Sequence, residues 1–171
     1  MSLHAITVLG HDRPGIIADV TGVLAELGGN LEDSSMTLLR GHFAWTLIVD
    51  LDVPAVEADQ RLAFLRDEGL VVSVLPVPPE GSVPGVGVSY VLSVHGADRP
   101  GIVSALTRVI ADAGGNVTDL TTRLAGSLYV VVAELGLPAE ADVDEVSARL
   151  AATAEGLGVG VSLRPADVDV L

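Results

Sequence analysis

The chain has 171 residues, of which 49% are apolar and 3% aromatic, so its core must be built mainly from aliphatic side chains. The net charge is −14 and the nine basic residues, all arginines, form no cluster, which argues against direct binding to nucleic acid or to an anionic membrane. The apolar runs are shorter than the ~20 residues of a spanning helix, no signal peptide is evident, and cysteine is absent; together these features favour a cytoplasmic protein.

The clearest feature of the chain is an internal repeat with an offset of 86 residues. Gly10–Ile16 returns as Gly96–Ile102 with one difference, in which Ala97 stands in place of His11. From the start of this motif to Asn30, 12 of 21 positions are identical to their copies. Chance does not produce such a match, and the sequence therefore predicts two copies of one unit of about 80 residues.

The first unit alternates strand and helix patterns. Alternating apolar residues at 4–9 predict a strand, and Pro14 suits the first turn of the helix that follows. That helix is predicted from an apolar stripe that ends at a Gly-Gly pair: Ile16, Ile17, Val20, Val23, Leu24 and Leu27. Strands are predicted at 30–39, 43–51 and 71–77. A second helix between the last two strands is marked by Ala55, Ala58, Leu62 and Leu65.

The second unit repeats this order. Strands are predicted at 116–124, 128–135 and 159–164, and the second helix is marked by Val143, Val146, Leu150 and Ala154. The order β-α-β-β-α-β, found twice, predicts an α+β protein with two tandem ferredoxin-like units, each an antiparallel sheet with two helices on one face. Open strand edges and an open sheet face predict a homo-oligomer, most simply a dimer.

A stretch rich in proline and glycine separates the units and is interpreted as a linker. The predicted organisation is one domain at 1–77, a linker at 78–87, a second domain at 88–165 and a C-terminal tail at 166–171.

Gly-x-Asp-Arg-Pro-Gly-Ile, followed by a helix and then Gly-Gly-Asn, resembles the ACT domain. The segment Asn30–Thr37 followed by Gly41–Phe43 strengthens the likeness. Two copies without a catalytic domain resemble the glycine cleavage system transcriptional repressor group, and the resemblance covers all but the linker and the tail. It implies two ACT domains that bind an amino acid, with glycine or serine the first candidates, at an interface between units and regulate another process.

The turn ahead of each first helix is the candidate ligand site. The N–H groups of Gly15 and Ile16 suit the carboxylate of an amino acid, and Asp12 or Asn30 suits its ammonium group. Asn30 is expected to lie nearby because the first two strands are predicted to pair. By resemblance, family members bind ligands through this loop and this asparagine. The candidate residues are Asp12, Arg13, Pro14, Gly15, Ile16 and Asn30, with their copies Asp98, Arg99, Pro100, Gly101, Ile102 and Asn116.

Each candidate residue also has a structural explanation. Asp12 can cap a helix, the glycine and proline can merely shape the turn, and Asn30 can tolerate a left-handed backbone. Arg13 and Arg99 can pair with local carboxylates or with solvent. If the two sites differ in specificity, the exchange of His11 for alanine is one plausible cause.

Other polar residues give no further site. The four histidines lack the spacing of metal ligands, so no metal and no cofactor are predicted. Asp50 and Asp52 share one strand face and are interpreted as a solvated strand end, and Trp45 is interpreted as core.

The favoured function is an amino-acid-sensing regulatory protein. The sequence lacks motifs for nucleophilic catalysis, nucleotide binding or zinc binding, which argues against an enzyme. If transcription is regulated, the acidity indicates action through a protein partner such as a transcription regulator. The alternative is a non-catalytic assembly module with vestigial ligand sites.

Overall fold

The computed structural model describes residues 2–78 and 87–166. The chain divides into two compact units, residues 1–81 and 82–171. Most of the predicted linker and nearly all of the predicted tail lie outside the described residues, so the proposed domain boundaries stay a prediction.

The first unit follows the predicted order of elements. Its second helical region is split in two, between Arg61 and Phe64. The elements are β1 (Ser2–His11), α1 (Ile16–Glu26), β2 (Asn30–Leu39), β3 (His42–Leu51), α2 (Ala55–Arg61), α3 (Phe64–Asp67) and β4 (Val71–Pro76).

The second unit has the same order with one continuous second helix. Its N-cap residue Asp142 accepts a hydrogen bond from the Glu145 N–H at 3.0 Å. The elements are β5 (Val88–Ala97), α4 (Ile102–Asp112), β6 (Asn116–Ala125), β7 (Leu128–Leu137), α5 (Val143–Leu157) and β8 (Val159–Pro165). The predicted α+β, ferredoxin-like fold is confirmed.

Each unit contains a four-stranded antiparallel sheet, in the order β2-β3-β1-β4 or β6-β7-β5-β8. The expectation that the first two strands pair is wrong, because β3 lies between β1 and β2. Two turn residues with positive φ, Arg40 at 51° and Gly41 at 82°, close a tight hairpin that places β3 beside β2. The chain crosses from β1 through α1 to β2 and leaves one strand position free between them. Strand β3 occupies that position.

The core of each unit is aliphatic, as the composition predicts. In the first unit α1 contributes its buried stripe Ile16, Val20 and Leu24. Trp45 is 5% exposed and meets Phe43 edge to face, so its interpretation as core is confirmed. No helix within the described residues has both the length and the apolar character needed to cross a membrane.

The helices leave part of each sheet uncovered. On the face away from the helices, Val71 and Leu75 are 64% and 60% exposed. On the helix side, the edge strand β2 extends past α1, which leaves Met36 and Leu38 about half exposed.

Candidate functional site

The turn between β1 and α1 holds the candidate residues Asp12 to Ile16. Gly15 is the N-cap of α1 with φ +94°, a left-handed conformation that favours glycine. The first helical hydrogen bond runs from the Asp19 N–H to the Gly15 carbonyl at 2.8 Å. The helix therefore begins two residues after Pro14, later than predicted.

Among the residues that the structure describes, no side chain caps the N-terminus of α1. The alternative that Asp12 caps the helix is therefore wrong, and the N–H groups of Ile16, Ile17 and Ala18 keep their capacity to bind an anion. The side chain of Ile16 is itself buried in the core, so only its backbone faces a ligand.

A cleft of about 520 Å³ opens beside these N–H groups. One wall is formed by residues 12–18, and the other by Met36, Leu38 and Phe43. The register places Leu38 opposite Phe43, on the helix side of the sheet. The cleft thus combines anion-binding backbone with an apolar wall, an arrangement that suits the carboxylate and an apolar side chain of one small molecule.

Arg13 is engaged within its own unit. Its Nη2 donates to Asp19 Oδ2 at 3.0 Å and also to the carboxylate of Glu68, which follows α3. The hydrogen bonds to Asp19 and then to Glu68 raise the pKa of Arg13 above its usual value. These contacts tie the turn to the second helical region, and they support the structural explanation of this arginine.

The corresponding turn of the second unit has the same backbone. Gly101 is the N-cap of α4 with φ +93°, and the Ala105 N–H donates to its carbonyl at 2.9 Å. The surroundings of the arginine differ. Ala105 stands at the position of Asp19, and Arg99 lies against Gly158 at the end of α5. Within the described residues no carboxylate pairs with Arg99. Asp98 and Pro100 complete this turn.

Asn30 does not lie near the turn of its own unit. It pairs with Asp50 at one end of β3, whereas β1 enters the turn at the other end, where His11 pairs with His42. Eight residues of extended strand separate these ends, a distance of about 26 Å. The same register separates Asn116 from the turn of the second unit. One small ligand cannot contact both features of one unit.

Sequence reasoning missed a residue next to Asn30. One carboxylate oxygen of Asp50 is buried and accepts no hydrogen bond from the described residues, so this side chain, which is only partly exposed, is less solvated than the interpretation as a strand end implied. A buried acceptor without a donor is costly. The repeat offers the only hint in the sequence, because Gly136 occupies the equivalent position in the second unit.

Asn116 borders a groove of about 410 Å³ between α4 and β6. Ser104, Thr107 and Arg108 supply its other polar groups. Arg108 has no ion-pair partner among the described residues, and Gly22 stands at its position in the first unit. The groove around Asn116 is therefore suited to an anion, whereas Asn30 lies beside the carboxylate of Asp50.

Comparison with known sequence families gives the same description for both units. Two models, each described as an ACT domain, match residues 4–68 and residues 90–146.

Two related sequences each match less than half of this chain. A UPF0237 protein of Methanopyrus kandleri is 47% identical over 68 residues, which are 40% of this chain and 71% of that protein. A UPF0237 protein of Pyrobaculum aerophilum is 36% identical over 75 residues, 44% of this chain and 83% of that protein.

Nearly the whole chain is covered by matches to solved structures. A protein of unknown function from Galdieria sulphuraria has a TM-score of 0.79 and 29% identity, covering 96% of this chain and 98% of that one. A proposed glycine cleavage system transcriptional repressor has a TM-score of 0.69 and covers 95% and 96% of the two chains. At 17% identity, this second match establishes similarity of fold alone.

Proposed function

Because the chain belongs to the ACT-domain family, with one domain in each half, we propose that it is a regulatory protein that senses a small amino acid and catalyses no reaction itself. The observation that carries the proposal is the cleft beside α1. An uncapped helix N-terminus meets an apolar wall there, which matches the two ends of an amino acid.

In the proposed complex the ligand carboxylate accepts hydrogen bonds from the N–H groups of Ile16 and its neighbours. Asp12, at the entrance of the turn, is the acceptor for the ammonium group. The ligand side chain faces Met36 and Leu38. Glycine and serine are the candidates from family resemblance, and the apolar wall adds alanine, valine and leucine, because burying a methylene stabilises a complex by about 0.8 kcal/mol.

Asn30 and Asn116 enter the proposal in a different way. Each lies about 26 Å along the sheet from the turn of its own unit, so it can contact a turn-bound ligand only as part of another copy of the domain. Homo-oligomers of this chain would supply such copies. Asp50 would then add a carboxylate acceptor beside Asn30 for the ligand ammonium group.

We place the regulated step in the cytoplasm and infer a protein partner, such as a transcription regulator. The net charge of −14 supports a protein partner, since duplex DNA would repel this chain. A role in the transcription of glycine metabolism is the specific form of this proposal.

Thermal shift and calorimetry on the full chain, with a panel of amino acids, distinguish an amino-acid sensor from an assembly module. A ligand at about 100 times its dissociation constant should stabilise the protein by about 2.7 kcal/mol. The alternative, an assembly module with vestigial sites, draws on the exposed Val71 and Leu75 of the open sheet face. A stable oligomer that binds no amino acid at millimolar concentration would favour that alternative.

A further inference from the structure

Two histidines lie side by side at the end of the first sheet, away from the cleft. His11 of β1 pairs directly with His42 of β3, and both side chains are exposed. Their ring centres are 4.9 Å apart and the ring planes make an angle of 31°. Alternation along the strands puts Val8 and Phe43 on the helix side, so both histidines lie on the opposite face.

The fold does not require this pair. At the same paired position of the second unit, Ala97 faces Leu128, and the strands there have the same register. The other two histidines have neighbours that account for them. His4 is buried, with its Nδ1 2.8 Å from the Ser2 carbonyl oxygen, and His95 packs over Gly160.

The spacing of the two rings fits a shared metal ion. A metal about 2.0–2.1 Å from a ring nitrogen lies about 3.2 Å from that ring's centre. Two imidazoles bound at about 90–110° to each other then have centres about 4.5–5.2 Å apart, and the observed 4.9 Å falls within this interval. Because both side chains are exposed, their rings can turn to direct one nitrogen each toward the ion.

We propose that His11 and His42 form a two-histidine site for a divalent cation of the kind that imidazole prefers, such as Zn²⁺. Among the described residues no group of three or more histidine, cysteine or carboxylate side chains is placed to hold a metal, so water completes the coordination. This is a surface site of modest affinity, unlike a closed structural zinc site.

The position of the site connects it to the turn of the cleft. His11 is followed by Asp12, whose N–H donates to the carbonyl of Gly41 at 3.2 Å, and Gly41 precedes His42. A bound ion would add a side-chain link to the backbone pairing that already joins these two segments. The cation would therefore hold the start of the turn against the β2–β3 hairpin.

The test uses the full chain without a histidine tag and Zn²⁺ as the probe. Calorimetry should give about one bound ion per chain, and NMR of the imidazole protons should show shifts for His11 and His42 but not for His4 or His95. His11→Ala and His42→Leu each install the residue found in the second unit, and each should weaken binding at least about tenfold.

A gain-of-function variant completes the design. Ala97→His combined with Leu128→His recreates the pair in the second unit and should add a second ion. Shifts confined to His4 or His95, or unchanged binding in both His11→Ala and His42→Leu, would overturn the proposal. The NMR measurement needs only the unaltered protein, so the proposal remains testable if a variant misfolds, and it is independent of any amino-acid binding.

Discussion

A methyl group added at Gly15, compared with the same change at Gly101, should distinguish an effect on ligand binding from an effect on stability. The residue has φ +94°, where an L side chain costs about 1–2 kcal/mol, so Gly15→Ala should lower the midpoint of thermal unfolding of its domain by roughly 4–8 °C per kcal/mol. The new Cβ meets no atom closer than 3.5 Å, so the strain is confined to the backbone. Valine would strain this conformation further, which makes alanine the better probe.

The backbone strain would fall on the turn whose N–H groups are proposed to bind the ligand carboxylate, and a shift of that turn would misalign those donors. Losing one hydrogen bond to a charged group costs about 1.5–3 kcal/mol, which corresponds to roughly ten- to a hundredfold weaker binding. Calorimetry with the amino acid identified in the panel measures this change, and circular dichroism checks the fold.

Gly101→Ala is the matched control, because Gly101 has φ +93° and a Cβ there meets nothing within 4 Å. Both variants should lose similar stability, but only Gly15→Ala should weaken binding in the cleft of the first unit. If both variants bind the ligand as tightly as the unaltered chain, the carboxylate does not sit at this turn and the reasoning is refuted.

Three further results are expected. Leu38→Asn should weaken binding of an amino acid with an apolar side chain. Leu124→Asn, at the equivalent edge position of the second unit, should not. Equal losses of affinity in calorimetry would contradict the assignment of the apolar wall. Asp50→Asn should leave the free energy of unfolding unchanged or raise it by about 1 kcal/mol, because one buried carboxylate oxygen of Asp50 accepts no hydrogen bond from the described residues. A clear loss of stability in urea unfolding would show that Asp50 has a stabilising partner. Arg13→Ala should lower thermal stability more in low salt than in high salt, whereas Arg99→Ala should show a weaker salt dependence, because of these two arginines Arg13 alone pairs with a carboxylate among the described residues. The same salt response in both variants would rule out the ion-pair explanation.

The order of elements could be predicted from the sequence because each signal is local. The apolar stripe of α1 and the alternation in β3 depend only on neighbouring residues, and the repeat gave each assignment a second example. The strand that begins at Asn30 was predicted with its observed bounds, since a Gly-Gly pair precedes it and a glycine-containing turn follows it.

The candidate site could be predicted only in part, because its geometry depends on which strands pair. Local patterns do not say that β3 separates β1 from β2, and this one fact moves Asn30 to the far end of the sheet. The neighbours of Asp50 and the contact between His11 and His42 depend on the same register. The contact between Arg13 and Glu68 could not be predicted from local patterns either, because Glu68 lies 55 residues away in sequence.

The unequal arginines of the two turns show what fusing two domains in one chain makes possible. In a homodimer of single domains, every substitution appears in both subunits, so the two turns must stay chemically identical. Here Asp19 pairs with Arg13, and Ala105 leaves Arg99 without that partner. A tandem chain can therefore change the charge balance of one turn while the other turn keeps its own.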